Sequence, residues 1–320
     1  MSENRSKHTL SASLAPTVVN GQRFNMTAEI HFPHPMTVFV LEGSGGVSPL
    51  AFCNSSTLLL DRMIVSHARR LHKRPDHPNL QGERWWLDTI NTTAIRFNVV
   101  LAAVEGSAGR FPSPREFSDE VEAATAAVAC VLTEASPVRY TADQMETIYQ
   151  MFASKQERYR KEVAFLIAAV PLLRQRVSQA KLLTTEQQLL AIADEQGLPT
   201  MTLSVLATLS CLYESNDVCS IGRRVVKPKE AYVEGDAHNT LSDLHSLEFL
   251  ISTQGLEFSA ATGICTCDEA LMCLWDELSP EASGQRNTTF RFNAKLTRNL
   301  FGRLDEEEHA LLVQRLRTRG

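Results

Sequence analysis

The sequence predicts an α/β fold in which a parallel sheet carries a large helical insertion, and three observations predict it. Two short apolar runs, 57–60 and 263–267, each lead into an aspartate, Asp61 and Asp268, that opens a helical pattern. Buried parallel strands read as short continuous apolar runs of this kind. After Ser136-Pro137 the pattern changes to long helices before the second of these junctions is reached.

The elements follow in order. Residues 1–54 read as an N-terminal extension: the first twenty or so are polar and flexible, then β character runs from Met26 to Val40, broken by Pro33 and Pro35. Gly43-Ser-Gly-Gly is a loop. The first part of the core, 55–136, holds the strand 57–60, a helix over 62–73 ending near Pro75, and a helix over 86–108 stopped by Gly106-Ser-Ala-Gly. A further helix over 116–133 has Ser113 as N-cap and Glu116 at the capping-box position. Residues 137–234 form a helical insertion and basic linker, with helices over 143–170, 172–181, 185–196 and 204–213 and the linker Val225-Val-Lys-Pro-Lys-Glu. The second part of the core, 235–288, supplies a helix over 236–252 and the strand that ends at Asp268. Residues 289–320 close the chain with a helix over 306–317.

Composition narrows the function. A 43% hydrophobic share and 22% charge describe a globular chain able to bury a core. The net charge of -5 argues against a basic coat that grips duplex nucleic acid by its phosphates alone. Seven cysteines, an odd number without framework spacing, and an N-terminus lacking an apolar signal core predict a reducing cytoplasmic setting. No apolar stretch reaches a membrane span.

The acids carry the chemistry. Asp61 and Asp268 stand where ligands bind in open α/β sheets, outside the carboxyl ends of the strands. On the helix beginning Gly235-Asp-Ala-His-Asn, Asp236 and Asp243 lie seven residues apart, about 20° from one another around the axis. Asn239 shares their stripe, while Leu241, Leu244, Leu247 and Leu250 form a packing face. The plainer reading makes Asp236 a helix cap and Asp243 solvated. Glu105 follows another apolar stretch. Carboxylates gathered from separate segments repel one another unless a cation joins them, and hard oxygen donors suit Mg²⁺ or Mn²⁺.

The segments Leu58-Leu-Leu-Asp-Arg-Met-Ile-Val, Asn239-Thr-Leu-Ser-Asp-Leu-His-Ser-Leu-Glu and Ile264-Cys-Thr-Cys-Asp-Glu-Ala-Leu resemble the PIN-domain nuclease superfamily. The resemblance implies a three-layer α/β/α sandwich and divalent-metal-dependent endonucleolysis, most often of RNA. It implies that Asp61, Glu105, Asp243 and Asp268 are the catalytic acids and hold the ion. Asp236 is a further candidate ligand, and Asn239 and Thr266 support the set. The chain departs from the family at Met63, where a small polar residue is usual, and in the length of helix between Glu105 and Asp243.

Two basic runs flank the acidic motifs. Arg69, Arg70, Lys73 and Arg74, with Arg223 and Arg224, are candidates for a phosphate backbone, the alternative being a solvated face. Trp85-Trp86 suits core packing better than base stacking, and Cys265-x-Cys267 suits a buried strand better than zinc. His67 and His72, five apart, share no helical face. The expected partner is RNA, single-stranded or tRNA, with an inhibitor or partner protein and a homo-oligomer as further candidates. Two other functions stay open: a catalytically inactive scaffold for protein interaction, and a DNA-directed nuclease.

Overall fold

Leu58, Leu59 and Leu60 are each 2% exposed or less, as a strand covered on both faces requires. Burying each side chain contributes about 1.5–3 kcal/mol. The computed structural model describes residues 8–19, 22–32, 34, 37–43, 45–106, 108–215, 220–253, 262–278, 280–286, 289–294 and 296–319, with backbone alone for 8–32, 280–294 and 319. The strands are β1 (His8–Val19), β2 (Gln22–Phe32), β3 (Phe39–Glu42), β4 (Val47–Pro49), β5 (Thr57–Leu60), β6 (Arg96–Asn98), β7 (Ser136–Pro137), β8 (Thr262–Thr266), β9 (Pro280–Arg286) and β10 (Thr289–Ala294). The helices are α1 (Arg62–Lys73), α2 (Gln81–Ile90), α3 (Val100–Glu105), α4 (Pro114–Ala129), α5 (Ala142–Ala153), α6 (Gln156–Ala169), α7 (Leu182–Glu195), α8 (Leu203–Leu212), α9 (Ile221–Val226), α10 (Glu234–Thr253), α11 (Glu269–Leu278) and α12 (Glu306–Arg319).

The fold is mixed α/β around a six-stranded, mostly parallel sheet ordered β4-β3-β8-β5-β6-β7. From β5 the chain steps outward to β6 and β7, then crosses back to lay β8 on the opposite side of β5, all four parallel. That reversal creates a crevice at the carboxyl ends of β5 and β8. β3 pairs antiparallel with β8 and β4, so the segment expected as a separate extension contributes two strands to the central sheet. Gly263 permits this approach: a Cβ there would lie 2.5 Å from Val40 Cγ1 and 2.7 Å from Ser55 Oγ.

Several expected elements differ. The strand 57–60 and helix 62–73 form as expected, and Ser113 and Glu116 close the capping box of α4. The expected helix 86–108 is instead α2, the three-residue strand β6 and α3. Asn91 breaks it: its Oδ1 accepts from Glu134 N at 2.8 Å, tying the end of α2 to the chain entering β7. The expected helix 143–170 divides at Ser154, whose hydroxyl donates to Met151 O at 3.0 Å. Residues 172–181 hold only 3₁₀ turns. Part of the expected flexible start is β1, paired antiparallel with β2, and the segments 280–286 and 289–294 form a second two-stranded sheet. Pro33, Pro35, Ser44 and the first seven residues lie outside the described ones.

The insertion between β7 and β8 packs on the rest through α10 against α3 and β8, α9 against α11, and α5 against α4. Among the described residues, no helix is long and apolar enough to cross a membrane.

Candidate functional site

At the carboxyl ends of β5 and β8 lies an open cleft of about 550 Å³, and Asp61, Glu105, Asp243 and Asp268 all line it. Four separate segments deliver them. Asp61 N-caps α1, its Oδ1 accepting from Ile64 N at 2.7 Å, and its own N–H donates to Cys265 O at 3.1 Å across to β8. Asp268 caps α11, its Oδ1 accepting from Ala270 N at 2.7 Å and Leu271 N at 3.0 Å. Thr266 is fully buried between them: its hydroxyl bonds the Asp61 carboxylate and accepts from Asp268 N at 2.9 Å. Glu105 ends α3, whose start is fixed by Asn98 Oδ1 accepting from Val100 N at 3.0 Å. Asp243 projects from α10, and exposed Asn239 lines the cleft beside it.

The electrostatics are unbalanced. Burial pushes Asp61 up to about 6; bonds from Thr266 and Ile64 N–H oppose the shift, and the charges of Glu105 and Asp268 add to it. Asp243 is driven well above the usual carboxylate range, first by burial, then by Asp268 and Glu105, with Lys227 as the opposing cation. Burial also raises Glu105, against Arg62 and Lys227. Arg62 Nη1 reaches Glu105 Oε1 at 3.2 Å.

The sequence does not single out Arg62, and it offers Lys227 only as one cation of a basic run that could hold a phosphate backbone. Lys227 sits at φ 52°, the sole non-glycine residue with positive φ among those described. Such a conformation costs on the order of 1–3 kcal/mol. Upstream, Gly222 seats α9 against α8, where a Cβ would fall 2.2 Å from Cys211 N.

Other candidates lie elsewhere. Asp236 is absent from the cleft lining; its carboxylate accepts from Val233 N at 3.0 Å and pairs with Lys229 at 2.8 Å, so it braces the start of α10. Arg223 is held inside the fold, with Nε at 2.9 Å from both Glu214 carboxylate oxygens and Nη2 donating to Leu173 O at 3.0 Å. Arg224 pairs with Glu269 at 2.8 Å, and Arg69 with Glu120 at 2.9 Å. Arg70 lines the cleft, while Lys73 and Arg74 are exposed. Trp86 is fully buried, consistent with core packing.

A second cluster, unseen in the sequence, lies where α6 meets α10. Glu162, His245 and Glu248 place ligand atoms within 4.8 Å of one another, the sole such trio of His, Cys, Asp or Glu among the described residues. The cleft acids are thus spaced more widely. Arg158 bonds two members of the trio, Glu162 at 3.1 Å and also Glu248, while His245 Nε2 lies 2.6 Å from Glu162. Ser204 Oγ donates to Glu162 at 3.1 Å. Burial would raise Glu162, but its bonds to His245 and Arg158 outweigh that and hold it below the usual range.

Comparison with protein-family models, with curated proteins and with solved structures finds no match.

Proposed function

We propose that this chain is a divalent-metal-dependent phosphodiesterase of PIN-like architecture, an endonuclease acting on RNA, with Mg²⁺ or Mn²⁺ held by Asp61, Glu105, Asp243 and Asp268. One observation carries the reading: four carboxylates from four segments line a single cleft at the sheet's switch point, and burial and mutual repulsion leave Asp61 and Asp243 poorly compensated. The order of the parallel strands and the helices between them support a three-layer PIN-like sandwich.

The donor set fits the ion. All four donors are carboxylate oxygens, and Mg²⁺ needs only one or two direct carboxylates while keeping several waters, which suits the wide spacing. Such an ion, once bound, would supply positive charge to a phosphodiester and lower the pKa of water, so that hydroxide would be available to attack it. The chain's own groups do the rest. Thr266 fixes the Asp61 carboxylate, the two helix caps hold Asp61 and Asp268 in place, and Arg62, Arg70 and Lys227 receive phosphate at the cleft wall.

Purified protein is expected to cut single-stranded RNA with Mg²⁺ or Mn²⁺ and to stop when the metal is chelated. Outer partners of metal ligands typically contribute about 10–100-fold, so Asp61→Asn and Asp243→Asn should each lose at least about 100-fold while remaining folded. Cleavage unchanged in both variants removes the assignment, and a parallel DNA substrate distinguishes the DNA-directed alternative. The inactive-scaffold reading draws on Arg62 and Lys227, which already offset part of the acidic charge. It predicts that the wild type binds no divalent ion at all.

A further inference from the structure

Glu105 occupies a weak position for a ligand. It is the last residue of the six-residue helix α3, followed by Gly106 at φ 60°. The final carbonyls of a helix lack intrahelical donors, and a short helix end frays unless something outside holds it. Here something does. Buried His238 brings Nε2 to 2.8 Å from the Glu105 carbonyl oxygen, and its Nδ1 lies 2.6 Å from Tyr159 Oη.

The direction of the chain follows from the groups. A carbonyl only accepts, so Nε2 carries the hydrogen. In the neutral ring Nδ1 is then the acceptor, and the Tyr159 hydroxyl donates to it. Burial favours the neutral ring and keeps the phenol protonated. Three segments are joined: α6 through Tyr159, α10 through His238, and α3 through Glu105. Because His238 and Asp243 share α10, the bond to Glu105 also sets the spacing between two of the cleft acids.

A neighbouring hollow bears on what this wall does. It is lined in part by Tyr159, His238, Phe111 and Phe152 and shares Asp61, Glu105 and Asp243 with the cleft. Its volume is about 40 Å³. A water needs roughly 10–15 Å³, whereas an engineered cavity that takes benzene measures about 150 Å³, so the hollow has no room for a nucleobase. The wall is a support and not a base pocket.

We infer that Tyr159 and His238 form a positioning relay that fixes Glu105 for the ion, so that the helical insertion, through α6, helps to set metal affinity in the cleft. This rests on the metal-site reading above. Mn²⁺ binding to the full-length protein, followed by calorimetry and by electron paramagnetic resonance of the ion, tests it without relying on turnover. Loss of partners that orient metal ligands typically costs about 10–100-fold in affinity, so His238→Leu should weaken Mn²⁺ binding by at least about 10-fold. His238→Gln, whose side-chain amide can still donate to the Glu105 carbonyl, should recover to within about 3-fold of wild type. Tyr159→Phe should fall between them, with unfolding midpoints reported for each variant. Wild-type affinity in His238→Leu overturns the relay, as does equal weakening in His238→Gln and His238→Leu, which would mark a packing role only. If Asp243→Asn abolishes Mn²⁺ uptake while His238→Leu does not, the relay fails and the metal site stands. If the wild type takes up no Mn²⁺, both fail together.

Discussion

Helix α10 contributes to two acidic clusters with opposite electrostatics. In one, Glu162 is 1% exposed yet stays below the usual carboxylate range, because Arg158 and His245 bond it directly. In the other, Asp243 keeps more solvent contact yet is driven well above that range. Among the described residues, charges surround Asp243 but no hydrogen-bond donor sets its pKa, and Lys227 acts on it as a charge alone. Burial pushes both acids upward, and Glu162 alone is brought back down by bonds from cations. What separates them is whether the chain provides its own cation within bonding distance. The trio has that cation built in; in the cleft Arg62 bonds Glu105, but among the described residues no cation bonds Asp61 or Asp243.

The largest effect should come from the self-compensated cluster. Arg158→Met removes the guanidinium from Glu162 and Glu248; because it is 36% exposed and His245 still bonds Glu162, the cost should be about 3 kcal/mol, the low end of the range for a buried pair, readable as a lower denaturant midpoint. A loss under about 1 kcal/mol would erase the contrast.

Next comes pH. Asp61 titrates near 6 in the folded chain and near 3.9 when unfolded, so between these values the folded state holds a proton that the unfolded state has released. Stability in the presence of chelator should therefore fall as pH rises from about 4 to 6, by on the order of 2 kcal/mol, and stay low above 6. Asp61→Asn should flatten this part of the profile in urea titrations at stepped pH.

A smaller effect of opposite sign is expected from Asp243→Asn, which removes a poorly compensated charge. It should stabilise the metal-free protein by about 1 kcal/mol at neutral pH while eliminating Mn²⁺ binding, a trade between stability and function. Destabilisation by a similar amount would place Asp243 with the structural acids.

The smallest effect concerns the basic run. Arg69→Ala should change stability by less than about 1 kcal/mol, because its pair with Glu120 is partly exposed. Arg70→Ala, at the cleft, should reduce the salt dependence of RNA binding by about one phosphate contact.

How much of this could be read in the sequence depended on element length and on which partners are local. The junctions at Asp61 and Asp268 were legible because an apolar run followed by a capping aspartate is one continuous signal. β6 and β7, of three and two residues, are too short to show a period, so β6 disappeared into an expected helix. Asp236 shares a helical stripe with Asp243, yet the plainer reading of it as a helix cap is the one that holds, since it takes Val233 N and Lys229 as partners. Arg223 looked like a candidate for a phosphate backbone, but Glu214 and the Leu173 carbonyl draw it inward, which a run of cations does not reveal. Glu162 and His245 stand 83 residues apart, and only the packing of α6 on α10 brings them together.

The position of β8 governs how the molecule is made. It lies between β3 and β5, yet both are synthesised some two hundred residues earlier. Until it emerges from the ribosome, the two halves of the sheet have nothing to join them, and each presents an open edge to passing chains. Asp243 and Asp268 likewise join Asp61 only after the whole stretch between β5 and α10 has been made. The growing polypeptide is thus exposed to mispairing throughout the interval between β5 and β8, and its acidic cleft is complete only once Asp268 has emerged.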